Sequence, residues 1–308
     1  MITEQAVERV WSAYYDEFRY FSEELVRPGC EPRLFLQQPP SGRAVVLVHG
    51  LTDSPYFMVA LGRFFFRALG YSVYLPLLQG HGLREPNGMS GVSLQEWKKN
   101  VDFAIAVAAA AGDRVSVGGL STGGALTLHA GCQDPRVTGD IYLFAAALGL
   151  YDFGVPAVGW LAETILRRSF IYRLPEVRQL VGKNPYRYCH VPLGSARELA
   201  LLMAELADHL DGYRGDRRLD KRVFAAWSAV DRVVRVAAID ALAEHFEPGN
   251  FHRFVVPATE NIYHAGVVLA EPVYAADADG SAEPLEKPNP LFAEMLVEMS
   301  RFAGGGSG

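Results

Sequence analysis

Two hydrophobic rhythms alternate along most of the chain. Short continuous apolar runs of strand length alternate with longer segments whose apolar positions recur three and four residues apart. Ala44–Val48 is the clearest run, and an unbroken β-branched stretch of that kind predicts a strand covered on both faces. Further strands are predicted at Arg33–Leu36, Tyr71–Leu75, Arg114–Gly118, Asp140–Phe144, Arg222–Trp227 and Phe251–Val256. The helical rhythm predicts helices over Phe57–Leu69, Leu94–Ala111 with Ser93 as N-cap, Thr122–Gly131, Val236–Phe246 and Pro290–Phe302. At the start, Val7, Val10, Trp11, Tyr14, Phe18, Phe21 and Leu25 keep helical spacing and predict an N-terminal helix packed on the body. Strand and helix alternate, so the class is α/β with a mainly parallel sheet and helices on both faces.

One segment breaks the rhythm. Residues 146–215 mix Gly and Pro with helical stretches such as Ala196–Leu210, too long for a plain connection, and are expected to form a lid or cap over the site. This divides the chain into an N-terminal extension (1–36), a core (37–145 and 216–303), the inserted lid and a flexible tail (304–308). The lid is rich in apolar and aromatic side chains, among them Leu148, Tyr151, Phe153, Trp160, Ile165 and Phe170, which suits an acyl pocket. A second irregular stretch, Ala270–Pro290, reads as an exposed excursion without an assigned role.

Composition narrows the partners. Half of the 308 residues are hydrophobic, 21% are charged and the formal net charge is −6, the balance of a globular protein with no basic stripe for nucleic acid. The most apolar stretch, Ile141–Leu166, is interrupted by Asp152, Pro156, Glu163 and three glycines, so no stable membrane insertion is expected. Three scattered cysteines, Cys30, Cys132 and Cys189, imply thiols in a reducing compartment, the cytoplasm, and no zinc-ligand spacing is visible. No metal or organic cofactor is implied, and the oligomeric state is left open.

The chemistry is carried by Gly119-Leu120-Ser121-Thr122-Gly123, which joins a predicted strand to a predicted helix. A serine on such a sharp turn presents its hydroxyl, and the flanking glycines let neighbouring backbone approach. A serine is a weak nucleophile at neutral pH and needs a base and an acid that orients the base. In α/β folds with this turn the chain order is Ser, then Asp or Glu, then His. His264 follows the last strand and stands at the carboxyl end of the sheet, where such sites lie. His129 sits inside the helix after the turn, His190 and His209 lie in the lid, His245 ends a helix, and His252 begins a strand at the far end. Asp231 directly follows the preceding strand and is the candidate acid; Asp208, Asp211 and Asp216 lie in or near the lid, and Asp240 faces out of a helix. Two backbone amides should bind the oxyanion, those of Thr122 and Leu51. Gly50 would supply the tight turn that aims Leu51, and His49 would pin the loop.

With His49-Gly50, the Pro76–Gly82 loop containing Gly80-His81-Gly82, Trp97, the Ser121 turn, Asp231 and His264, the chain resembles the serine hydrolases of the α/β-hydrolase superfamily. It is most similar to the monoacylglycerol-lipase and bacterial carboxylesterase branch. The resemblance covers about residues 44–130 and 220–303 and implies an α/β-hydrolase fold. It also implies a triad of Ser121, His264 and Asp231, with an oxyanion hole from Leu51 and Thr122. The expected reaction is hydrolysis of a hydrophobic acyl or aryl ester. The same triad could serve amide or carbon–carbon cleavage or acyl transfer, and a non-catalytic binding protein is the alternative of a different class.

Overall fold

The computed structural model describes residues 9, 12–84, 88–151, 164, 167, 178–179, 183–279 and 281–305. Seven strands form one sheet: β1 (Arg33–Phe35), β2 (Arg43–Val48), β3 (Ser72–Leu75), β4 (Arg114–Leu120), β5 (Ile141–Phe144), β6 (Val223–Ser228) and β7 (Phe251–Val256). Their spatial order is β1-β3-β2-β4-β5-β6-β7. All neighbours are parallel except β1, which runs antiparallel to β3 at the edge.

The helices are α1 (Val59–Arg67), α2 (Leu94–Ala111), α3 (Thr122–Gln133), α4 (Leu193–Leu210), α5 (Val236–Ala241) and α6 (Phe292–Gly304). Strand alternation explains their division between two faces. Val46 and Val48 bury into one core with Trp97 and Ile105 of α2, Leu128 of α3 and Leu202 of α4. Their neighbours Val45 and Leu47 bury into the opposite core with Leu61 and Phe65 of α1 and Met295 and Met299 of α6. Both faces are covered, which is why the strand is apolar at every position rather than alternating. Among the described residues no helix is long and apolar enough to cross a membrane.

Several expectations are met closely. The helix Leu94–Ala111 has the predicted bounds, and Ser93 caps it, its hydroxyl accepting from the Glu96 N–H at 3.2 Å. Phe251–Val256 also keeps its bounds. The N-terminal helix is corrected. Val7, Val10 and Trp11 lie outside the described residues, and the helical turn Tyr14–Glu17 ends at Phe18, which leaves helical backbone angles. Tyr14, Phe18 and Phe21 are still buried, but Phe21 follows in irregular backbone and Leu25 in a turn. Tyr14 and Phe18 both pack against Phe103 of α2, so tertiary contact rather than helical periodicity sets this aromatic spacing.

Of the lid's aromatic residues, Phe153, Trp160, Phe170 and Tyr172 lie outside the described residues. Helix α4, within the insertion, shares the core of α2 and α3 through Leu199, Leu202 and Leu206. The stretch 270–290 is not simply exposed. Val273 is buried, the Val273 and Glu286 backbones pair, and Glu286 and Asn289 are also buried.

Candidate active site

The carboxyl ends of the parallel strands collect the candidate residues on one edge of the sheet. Leu120, the last residue of β4, is in register with Phe144 of β5, and Phe144 with Ala226 of β6. Ser121 follows β4 immediately and has φ 53° and ψ −114°, a left-handed region that a side chain occupies only under constraint. Three backbone bonds impose it: Ser121 N–H donates to Phe144 O at 2.9 Å, and Ser121 O accepts from Ala125 and Ala147 at 3.0 Å each. The two glycines of the motif are required by space. A Cβ at Gly123 would collide with the Val48 and His49 carbonyl oxygens, and one at Gly119 with the Gly123 backbone.

The structure brings Asp231 and His264 together. Asp231 Oδ1 accepts from the Val233 and Val234 amides at 2.8 and 3.1 Å, which fixes the carboxylate in a turn after β6. Its Oδ2 lies 2.7 Å from His264 Nδ1, so that nitrogen carries the proton and donates to the carboxylate. Burial alone would raise the Asp231 carboxyl, but His264 and the two amides outweigh it and hold it below the usual range. His264 itself opens a 3₁₀ turn, His264–Val268, and is 8% exposed. The other histidines stand apart. His129 faces Glu205 at 3.7 Å, His245 Nδ1 lies 2.9 Å from Tyr213 O, and His252 stacks on Phe224. Asp240 pairs with Arg253 at the surface.

The loop after β2 is more constrained than predicted. The positive φ falls on Thr52, at 67°, and not on Gly50. Gly50 is needed for room instead: a Cβ there would lie 2.5 Å from Asp53 Oδ2 and 3.3 Å from Ser121 Cβ. Among the described residues, neither the Leu51 nor the Thr122 N–H donates to another group. His49 bonds within this loop and across to the next one. Its Nδ1 donates to Gly50 O at 2.9 Å, while its Nε2 accepts from Leu78 N–H at 3.1 Å. An acceptor Nε2 requires a neutral ring, and burial, reinforced by the neighbouring His81, pushes the His49 pKa well down. His81 packs edge-on between His49 and Trp97, and the Trp97 indole N–H donates to Gln79 O at 3.1 Å. That contact explains why the Gly-His-Gly loop and Trp97 occur together.

Three further residues were not found from sequence. Arg187 Nη2 lies 2.8 Å from Asp53 Oδ1, and its Nη1 lies 2.5 Å from Glu286 Oε1. All three side chains are buried. Burial pushes the Asp53 carboxyl up to about 6, against the pull of Arg187. His264 also exerts a charge effect on Asp53, so this cluster borders the site. Asp53 sits two residues past Leu51, the one local signal available; Arg187 and Glu286 are too distant in the chain for any spacing argument.

The described cavities of about 480 and 490 Å³ are not lined by Ser121, Asp231 or His264. One lies beside Ile105, His129 and Arg136, and the other beside Tyr56, Arg63 and Tyr186.

This sheet, carrying a strained serine after a parallel strand and a histidine–aspartate pair at the same edge, is that of an α/β-hydrolase. Residues 39–265 match the family model Hydrolase_4, described as Serine aminopeptidase, S33, and the chain belongs to that family. It is 30% identical over 187 residues to a thermostable monoacylglycerol lipase of Bacillus sp. (strain H-257), spanning 60% of this chain and 70% of that protein. Among solved structures, a protein from work on LipS and LipT, two metagenome-derived lipolytic enzymes, superposes with TM-score 0.66 at 22% identity. That match covers 91% of this chain and 99% of the other. A soluble variant of the Saccharomyces cerevisiae monoglyceride lipase superposes with TM-score 0.65 at 12% identity, covering 89% and 91%. The protein is thus a hydrolase whose relatives include lipases and esterases.

Proposed function

We propose that the protein is a serine carboxylic-ester hydrolase acting on a hydrophobic acyl or aryl ester. The observation that carries this reading is the Asp231–His264 hydrogen bond at the same sheet edge as the strained Ser121 turn. In the proposed reaction Ser121 Oγ attacks the ester carbonyl while His264 Nε2 takes its proton. The carbonyl oxygen becomes an oxyanion and accepts from the Leu51 and Thr122 amides. The imidazolium then protonates the leaving alcohol, giving an acyl-enzyme. Water, deprotonated by His264, attacks the acyl carbon; the acid departs and Ser121 regains its proton.

Asp231 keeps the proton on Nδ1, so that Nε2 is free to act as base. Segment 146–215 is proposed as the cap that shapes the acyl pocket over the core formed by 37–145 and 216–303. Residues 1–36 are proposed as an extension that also lends β1 to the core sheet, and 304–308 as a tail that starts at the last residue of α6. The monoacylglycerol lipase relative and the lipolytic structural neighbours support an apolar acyl group. The odd, scattered cysteines suit a cytoplasmic protein.

The test is hydrolysis of a p-nitrophenyl acyl-chain series by the wild type and Ser121→Ala, together with fluorophosphonate labelling. Ester turnover and single labelling at Ser121, both abolished by the substitution, are expected, with a preference for medium over acetyl chains. Labelling at Ser121 without ester turnover would shift the reading to amide, carbon–carbon or acyl-transfer chemistry. A wild type that shows no ester turnover and no labelling at Ser121 would overturn it.

A further inference from the structure

The proposed chemistry leaves the buried Asp53–Arg187–Glu286 cluster without a role. Asp53 Oδ2 and the Ser121 Cβ both crowd the point where a side chain at Gly50 would begin. The carboxylate therefore stands beside the nucleophile, on the loop whose Leu51 amide faces an incoming oxygen. A free negative charge there would oppose an oxyanion, and in a buried setting such opposition is far stronger than in water. Arg187 supplies the countercharge through Nη2, while its Nη1 is engaged by Glu286. Its backbone neighbour grips the same loop, for Tyr188 N–H donates to Thr52 O at 2.9 Å. The guanidinium also lies over the Phe57 ring, 5.3 Å from its centroid. Arg187 and Tyr188 thus meet Asp53 and Thr52 as two matched pairs, and the guanidinium fork is held to one orientation.

Taking ester hydrolysis at Ser121 as given, we propose that Arg187 is a positioning residue for the oxyanion hole. It holds and masks the Asp53 carboxylate, so that the Leu51 side of the site remains receptive to negative charge. A lysine could not replace it, because one ammonium cannot present two fixed nitrogens to two carboxylates. The effect belongs to the transition state, so it falls on kcat and leaves KM nearly unchanged.

The test is a charge-rescue cycle on the full chain, with kcat normalised to sites titrated by fluorophosphonate so that any misfolded fraction drops out. Arg187→Met is expected to lower kcat by about 10²-fold with little change in KM. Asp53→Asn in the same chain is expected to restore most of that loss, because it removes the charge Arg187 masks. A role limited to holding the loop predicts the reverse: the double variant would be no faster than Arg187→Met, and that result would overturn the proposal. Glu286→Gln provides a second arm that keeps the Asp53–Arg187 pair. It leaves the whole Arg187 charge to Asp53 and should match or exceed wild-type kcat, whereas a tenfold fall would sink the idea. If the wild type neither labels nor turns over ester, the proposed function fails and this inference falls with it. A wild type that does both, with Arg187→Met unchanged, overturns this inference alone.

Discussion

Asp231 serves two masters with its two oxygens. Oδ1 closes the turn after β6 through the Val233 and Val234 amides, and Oδ2 orients His264. Asparagine separates the two tasks. Its carbonyl oxygen can still accept both amides, but its NH₂ then faces His264 Nδ1. The ring must turn that nitrogen into an acceptor, which moves the proton to Nε2 and removes the proposed base. Asp231→Asn should therefore cost about 10⁴-fold in kcat. Its melting temperature should stay near that of the wild type, since the turn survives. Steady-state kinetics and thermal melting on one preparation check this; a variant that loses stability in proportion to activity would mean the turn, not the tautomer, is what Asp231 supplies.

At the scale of elements, the strand-to-helix junction depends on absent side chains. A methyl at Gly123 would meet the Val48 and His49 carbonyl oxygens, which belong to β2 and the loop after it and cannot give way without moving the sheet. Gly70 is a useful contrast: its φ is +71°, but a Cβ there meets nothing within 4 Å. Gly70→Ala should cost only the left-handed backbone strain, about 1–2 kcal/mol. Gly123→Ala should cost more than about 3 kcal/mol or prevent folding. Urea unfolding of the two variants tests this, and equal losses would show that backbone freedom rather than close approach is the requirement. The same locality explains what was legible in the sequence. Ser121, Asp231 and His264 each follow a strand, and in a parallel sheet all strand ends share one edge, so position along the chain became position in space. The bounds of α2 were readable because Ser93 caps it through its own neighbour. The N-terminal helix was overextended because Phe18 and Phe21 keep helical spacing for packing against Phe103 and the rings around it, not for a helix. The role of 270–290 was missed because Glu286 is buried by Arg187, a residue 99 positions away.

The two-loop platform beneath the site makes a demand on the whole molecule, because it is built on neutral histidines. His49 joins the loop after β2 to the Pro76–Gly82 loop only while its Nε2 can accept from Leu78, and protonation there destroys the bond. Burial pushes His81 down to about 4 and His49 well below its ordinary value. In the unfolded chain both would take up protons near pH 6.5. Above that pH neither state binds these protons and the histidines exact no penalty. As pH falls from about 6.5 towards 4, the unfolded state gains protons that the folded state refuses, so stability drops. His81 alone accounts for up to about 3 kcal/mol over that window. Asp53 acts with the opposite sign: its carboxyl, raised to about 6, binds a proton in the folded state before the unfolded chain does, which offsets part of the loss. Asp231, held low, adds to the acid loss only at the bottom of the window. His129, which burial also pushes down to about 4, acts with the same sign, and three histidines against one aspartate leave a net fall in melting temperature between pH 7.5 and pH 5. His81→Phe keeps an aromatic ring between His49 and Trp97 while removing the titrating nitrogen and the His81 charge that depresses His49. It should lower stability at pH 7.5, by losing the 3.0 Å bond to Gln79 O, yet flatten the acid dependence. Melting curves of both proteins across that range decide the matter: parallel slopes would mean that the acid sensitivity arises elsewhere in the fold.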